Sequence, residues 1–579
     1  MKNINLKNVA VLMLAAVLLS SCGLSRMINR YEQGVNFTPE TNPLENHGGQ
    51  VAVEIDGRVG ERYFHRRAIM ELTPVLKYEG GEKALTPIIL RGNRTTGDGI
   101  LVERRTPTTF DLSEAIAYQD AMLASELVMR ARLYRQGREA AAVNLPERKV
   151  ADGVINTSQR VVADYDLVLA PDKYEAETTV SRSANIYFAY MRHDLNMRLA
   201  LNRDAANAAK VAELESFIRQ GWKIKSVEVN AWASPEGEVA FNEKLSENRA
   251  TTTNNFVNDL FMRIERATGT SIERPTTTVT AKGEDFDGFM TLLNASELPD
   301  RQAIANVINE QLAPAERERR IKDMTVIFAE VEKILEPLRR GEIVVTLYEP
   351  KKTNAEIARL AIEDPAQLDV EELLFAATLT DDQNTKLAIY KNAQKQFPQD
   401  FRGFNNAAYI LIKQGKAAEA ATHIEKAKQL APNAGAVLNN AGVVSAVKDD
   451  IVNAQAYFEA AKGQGVNTSY NIGVLMIKKG DYTAALTSFA GRTCTHNVAL
   501  AHLLAGNDSA AMTNLECAKE SAPVAYLKAI IGARRQNDTM VFDNLRRAIQ
   551  LDPAYKEVAG KDREFIRYFE VADFQAIVR

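Results

Sequence analysis

The chain has 579 residues, 46% of them hydrophobic and 25% charged, with a formal charge of −4. This is the composition of a globular chain rather than a disordered one, and the length leaves room for three or four domains. The acidity, about −6 without Lys2 and Lys7, excludes the basic field that a nucleic-acid partner requires.

The first elements are Lys2, Lys7 and an apolar run from Val9 to Leu19. A bilayer-spanning helix needs roughly twenty apolar residues, so this shorter run reads as a secretory leader. Leu19-Ser20-Ser21-Cys22 follows and resembles the lipobox of bacterial lipoproteins. The resemblance implies removal of residues 1–21, a diacylglycerol on the Cys22 thiol and anchoring in the outer membrane; the alternative is an ordinary leader with a chance cysteine. Gly23-Leu24-Ser25-Arg26 lacks the acidic cluster that resembles the surface-export tag of Bacteroidota lipoproteins, so a periplasm-facing protein is expected. Residues 22–49 are polar and broken by Gly34, Pro39, Pro43 and Gly48, which predicts a lipidated tether.

Residues 50–180 are predicted to be β-rich. Val51, Val53 and Ile55 alternate as on a half-buried strand. Ala68 to Tyr78 is a second strand, Gly80-Gly81 a turn, and Pro87 to Leu90, Ile100 to Val102 and Leu127 to Tyr134 further strands. Short strands with glycine turns suggest a sandwich without an evident catalytic group.

From 183 to 349 strands and helices alternate. Ile186-Tyr187-Phe188 opens a strand, Asn202 to Arg219 is a helix, and Val227, Val229 and Ala231 alternate on the next strand. Leu245, Arg249, Thr253, Phe256, Leu260 and Ile264 fall near helical spacing. Thr276 to Thr280 predicts a strand, 286–338 is mostly helical, and Glu342 to Leu347 closes with a strand. Within this region Ala233-Ser234-Pro235-Glu236-Gly237 is followed by Asn242, Leu245-Ser246 and Arg249-Ala250, then by Gly283-Glu284 and Arg339-Arg340-Gly341-Glu342-Ile343. The order resembles the peptidoglycan-binding OmpA-like domain over about 165 residues. In that family an arginine takes a carboxylate of the stem-peptide diaminopimelate and a turn aspartate takes its ammonium. The resemblance makes Ser234, Glu236, Asn242 and Arg249 the peptidoglycan-binding candidates. A bidentate guanidinium–carboxylate pair at Arg249 suits that role, and Asn242, seven residues before it, shares its helix face. The chain departs from the pattern at Ser234, where the family has the aspartate, and at Ala189, where another aspartate is usual; Glu236 is the substitute to consider.

Residues 363–579 are helical and repetitive. One unit reads Phe404, Ala407, Ala408, Leu411, Gly415, Ala420, Ile424, Ala427, Pro432, and it returns from Leu438, from Ile472 and, at a shorter interval, from Val498. Small residues let antiparallel helices approach, glycine ends the first helix and proline the second. The pattern resembles the tetratricopeptide repeat of about thirty-four residues. Cys494 and Cys517 fall at neighbouring ends of the two helices of one repeat, which leaves either a disulfide or two buried thiols.

No phosphate-cradling glycine loop, nucleophile elbow or zinc helix is present, and His47, His65, His193, His423, His496 and His502 have no ligand spacing. The sequence therefore predicts a multidomain protein: a β-sandwich-like domain, an OmpA-like α/β domain and an all-α tetratricopeptide-repeat solenoid. It is expected to be no enzyme and to need no cofactor or metal. The combination implies an outer-membrane scaffold that contacts peptidoglycan and recruits protein partners through the repeats. The alternative is an assembly or secretion adaptor for outer-membrane or fimbrial proteins without wall contact.

Overall fold

The computed structural model describes residues 23–579 except 237, 299–300, 311–312, 314–315, 317–318, 321–322 and 324–327. The leader and Cys22 lie outside the described residues. Two compact units form: residues up to Pro171 join Thr380–Arg579 in one, and Asp172–Leu379 make the other. The second unit is thus an insertion in the chain of the first.

In the first unit, β3 (Gln50–Val59) alternates strictly between buried and exposed residues and pairs antiparallel with β1 (Val35–Pro39), β2 (Leu44–His47) and β5 (Thr108–Ala117). A second sheet centres on β4 (Ala68–Tyr78) and β6 (Ser125–Arg135), antiparallel along their full length. Val51, Val53 and Ile55 of the first sheet share one core with Met70, Leu72, Leu127 and Met129 of the second. The segment expected to be a tether belongs to this core. Residues 23–29 and Tyr31–Gly34 are helical, β1 and β2 are sheet strands, and Met27, Tyr31, Val35 and Leu44 are buried. Its polar composition concealed a few apolar residues at core-facing positions.

The helices from Gln383–Gln396 onward form antiparallel hairpins: Phe401–Lys413 with Ala417–Leu430, Gly435–Val447 with Ile451–Gly463, Ser469–Lys479 with Tyr482–Ser488, His496–Leu504 with Asp508–Cys517, and Ala522–Arg534 with Asp538–Leu551. The first helix of the first four hairpins ends at a residue in the left-handed region: Gly415, Asp449, Gly480 and Gly506, at 34-, 31- and 26-residue intervals. The repeat register drawn at a constant 34 from Ile472 is therefore displaced by three residues. Cys494 and Cys517 are joined in a disulfide, with Cα atoms 5.0 Å apart.

The inserted unit holds a four-stranded sheet in the order β7 (Thr179–Tyr187), β10 (Arg340–Tyr348), β8 (Ile224–Ala233), β9 (Thr278–Glu284). β8 and β9 run parallel and the other neighbours antiparallel. Ile186-Tyr187 ends a strand instead of opening one. The helix expected from Asn202 is interrupted at Asp204: Ala200–Arg203 is a short helix whose Asn202 side chain bonds the backbone N–H and C=O of Tyr187, and the long helix Ala205–Arg219 starts anew, capped by Asp204. The long helix Val239–Thr268 places Val257, Leu260, Phe261 and Ile264 over Val227, Val229, Ile343 and Val345. Its close approach to β10 depends on Gly341, where a Cβ would stand 1.9 Å from the Thr253 hydroxyl. The helices Asn354–Glu363 and Val370–Ala376 also belong to this unit, so the helical array begins later than residue 363.

Candidate functional site

The end of β8 turns at Ser234–Glu236 into the helix that carries Asn242 and Arg249. Ser234, Glu236, Asn242 and Arg249 line one cavity of about 260 Å³, together with Tyr190, Met191, Glu238, Phe241 and Leu245. Tyr190, Met191 and Phe241 are exposed and form an apolar rim over a polar floor.

Arg249 lies in that floor, 1% exposed. Its Nε donates to the carbonyl of Arg192 at 2.9 Å, and its terminal nitrogens donate to the carbonyls of Trp232 at 2.9 Å and Ala189 at 3.2 Å. A guanidinium has five N–H groups, so this backbone latch leaves two. None of the carboxylates among the described residues forms an ion pair with it. Burial, with the neighbouring charge of Arg339, pushes its pKa down to about 9, against a smaller opposing pull from Glu236. It remains a cation at neutral pH, largely desolvated.

Glu236 is engaged elsewhere. It accepts from Arg339 at 2.6 Å and from the Ser234 hydroxyl at 2.6 Å. Arg339, 3% exposed, also meets Glu332 at 2.8 Å. Burial opposes its charge, but the two carboxylates outweigh that and raise its pKa. Asn242 donates to the carbonyl of Glu236 at 2.8 Å and to the Glu284 carboxylate at 2.7 Å, which fixes the turn against the helix. Ser246 accepts from the N–H of Gly283 at 3.2 Å, and Arg340 pairs with Asp285, the N-cap of the next helix.

The four sequence candidates therefore meet in one cavity with distinct roles. Arg249 is the cation without a carboxylate, Glu236 and Ser234 hold Arg339, and Asn242 holds the turn. Sequence reasoning assigned no role to Arg339 in the site; the Arg339-Arg340 pair at the start of a strand was the available signal. Chemically the floor can bind an anion, because a carboxylate in the cavity would compensate the buried charge.

The chain itself packs against the helical array. Residues 161–171, outside any helix or strand, lie on it, with Tyr165 buried against Phe458. Among the described residues, no group of His, Cys, Asp or Glu is arranged to hold a metal, and no helix is long and apolar enough to cross a membrane.

No protein-family model matches the chain, and no curated protein matches it. Similar solved structures include PilW, described as a widely conserved type IV pilus biogenesis factor, at 15% identity over 39% of this chain and 99% of that one, with a TM-score of 0.28. A tetratricopeptide repeat protein from Parabacteroides merdae shows 13% identity over 47% of this chain and 97% of that one, TM-score 0.28. PilF of Pseudomonas aeruginosa shows 13% identity over 36% of this chain and 98% of that one, TM-score 0.28. Scores of this size say nothing about shared function, and the repeat architecture stands on the hairpins described above.

Proposed function

We propose that this protein is a lipid-anchored outer-membrane scaffold facing the periplasm. Its inserted domain, read as OmpA-like, grips the cell wall, and its helical array recruits a protein partner. The observation that carries the wall contact is Arg249: a buried cation with no carboxylate, on the floor of a cavity rimmed by Tyr190, Met191 and Phe241. A stem-peptide carboxylate supplies the missing charge, and the rim suits the methylene chain of a diaminopimelate. With Glu236 committed to Arg339, Glu238 at the cavity lip is the carboxylate left to meet the ligand ammonium. The anchor rests on the Leu19–Cys22 motif alone.

Co-sedimentation with purified diaminopimelate-type sacculi tests the wall contact. The wild-type chain is expected in the pellet and is released by soluble stem peptide. Arg249→Gln is expected to weaken retention by about 10- to 100-fold, as loss of a charge-assisted bond should. A wild-type chain that stays in the supernatant overturns the reading. That result would favour the second reading, an assembly adaptor without wall contact, which Ser234 in place of the acid supports.

A further inference from the structure

One exposed arginine without a carboxylate is ordinary; several gathered at one end of a domain make a field. Strand register assembles such an end in the N-terminal sandwich. In the first sheet Val35 pairs with Val59 and Val59 with Thr108; in the second Ala68 pairs with Arg135 and Ile69 with Arg91. β1, β4 and β5 therefore begin at this end, and β3 and β6 finish there. Segments 60–67 and 93–107, which meet here, carry Arg62, Arg66, Arg67, Arg94, Arg104 and Arg105, all exposed. Backbone bonds hold the two segments together. The N–H of Arg62 donates to the carbonyl of Arg104 at 2.7 Å, and the N–H of Arg94 to that of Arg66 at 2.7 Å. The acids of the same segments are Glu61, Asp98 and Glu103. Among the described residues, none of these arginines or acids is engaged in an ion pair. In a chain that is acidic as a whole, this end keeps an excess of positive charge facing solvent.

Gly23 stands at the same end. A Cβ there would lie 2.5 Å from the ring of His65, whose backbone N–H donates to the Met27 sulfur at 3.2 Å. Burial, followed by the charges of Arg135, Arg66, Arg104 and Arg67, lowers the pKa of His65, so those guanidinium groups converge on the ring against which Gly23 packs. The helical stretch from Gly23 is pinned in the core by Met27 and Tyr31 and adds the exposed Arg26 and Arg30. Cys22 is bonded to Gly23, and consecutive Cα atoms are about 3.8 Å apart. No spacer separates a lipid on Cys22 from the arginines. We propose that this basic end of the sandwich lies on the anionic phospholipid headgroups of the leaflet that holds the lipid, with Arg66, Arg67 and Arg104 on phosphate oxygens. The inference rests on the reading of Cys22 as the lipid site and deepens it: the acyl chains retain the protein, and the arginines fix which end faces the membrane. A guanidinium fork matches a phosphate, and each arginine near an anionic surface strengthens attachment about fivefold. The opposite end, where Tyr78 pairs with Ser125, carries the exposed Glu79, Asp120 and Glu126, which the same surface repels.

The test uses the mature chain from residue 22 with Cys22→Ser, which keeps both units and carries neither leader nor lipid. In flotation it is expected to rise with vesicles of phosphatidylethanolamine and phosphatidylglycerol at low salt, to stay behind with vesicles of phosphatidylcholine alone, and to be released by high salt. Arg66→Glu, Arg67→Glu and Arg104→Glu together are expected to weaken binding to the anionic vesicles by at least about 100-fold. Lys395→Glu, Lys462→Glu and Lys519→Glu, at exposed positions of the array, change the net charge equally and are expected to leave binding unaltered. Equal binding to both kinds of vesicle, no binding at low salt, or equal losses in the two triple variants overturns the proposal. Tighter binding to an RNA oligonucleotide than to the anionic vesicles also overturns it and assigns the patch to nucleic acid. If the first triple variant does not fold, hydrogen exchange of the parent Cys22→Ser chain decides. The amides of residues 60–67 and 103–105 are expected to exchange more slowly on anionic vesicles, and unchanged exchange there overturns the proposal. The anchor is read separately, from the mass of the N-terminal peptide of wild-type protein taken from membranes. A lipid there without vesicle binding removes only the basic surface, and vesicle binding without a lipid removes only the anchor.

Discussion

The cavity floor of the inserted domain and the helical array both use side chains to hold backbone, but with different groups. Arg249 holds the carbonyls of Arg192, Trp232 and Ala189 and can only donate. Asn440 meets both the N–H and the carbonyl of Val168. A neutral amide matched in both senses is complete. A buried guanidinium matched only by carbonyls retains a net charge that asks for an anion. The difference separates a buried charge without a carboxylate partner from an amide contact that is complete in both senses.

Substitution sharpens that contrast first. Arg249→Ala leaves three carbonyls without their donor and is expected to destabilise the inserted domain by about 3–5 kcal/mol, whereas Asn440→Ala should lower the other unit by about 1–3 kcal/mol. Thermal and urea melts of the two variants measure this. Equal losses would mean that the guanidinium is only another backbone latch. The next effect concerns the array's own scaffold. The Cys494–Cys517 bridge closes a 23-residue separation in the hairpin that carries Asn497. Reduction is expected to lower the stability of that unit by about 3 kcal/mol in the chain-entropy model and to leave the inserted domain unchanged. Differential scanning calorimetry with and without reductant resolves the two; a shift in both units would contradict their separation.

The smallest effect is set by pH. His496 bonds the carbonyl of Arg160 at 2.8 Å, and burial, aided by the Arg160 charge and partly offset by that bond, lowers its pKa to about 4. An unfolded histidine titrates near 6.5, so between roughly pH 6.5 and 4 the unfolded chain binds the extra proton. Stability is then complete above that window and declines as the pH falls through it. Asp164, whose pKa burial raises, acts in the opposite sense at the acid end. Melting of the first unit is expected to drop between pH 7 and pH 5, and His496→Gln should narrow the drop. An unchanged difference in that variant would remove His496 from the account.

Much of the site was legible because turn chemistry and helix periodicity act locally. The spacing from Ser234 to Arg249 was enough to bring four candidates to one cavity, and the alternation of Val51, Val53 and Ile55 was enough for a strand. What escaped depends on distant partners. Nothing near Glu236 in sequence announces that Arg339 will claim it. Residues 22–49 looked like a spacer because the core that buries Met27 and Tyr31 is assembled from strands as far away as Met129. The asparagines that bond the backbone of residues 162–170 were visible only as Asn405-Asn406 and Asn439-Asn440, 34 residues apart. The shorter third and fourth repeats hide Asn471 and Asn497 from any search at constant period.

The insertion of the middle domain also dictates an order of events. Thr157 donates to Glu564, a contact 407 residues apart in sequence, and Arg160 reaches Asp562. A chain that emerges from its N-terminus must therefore keep residues 157–171 waiting until nearly the last helix has arrived, while residues 172–379 contain every strand of their own sheet and can fold without delay. The middle of the polypeptide matures before residues 157–171 that precede it, and this waiting segment, rich in valine and leucine, needs protection from mispairing throughout that interval.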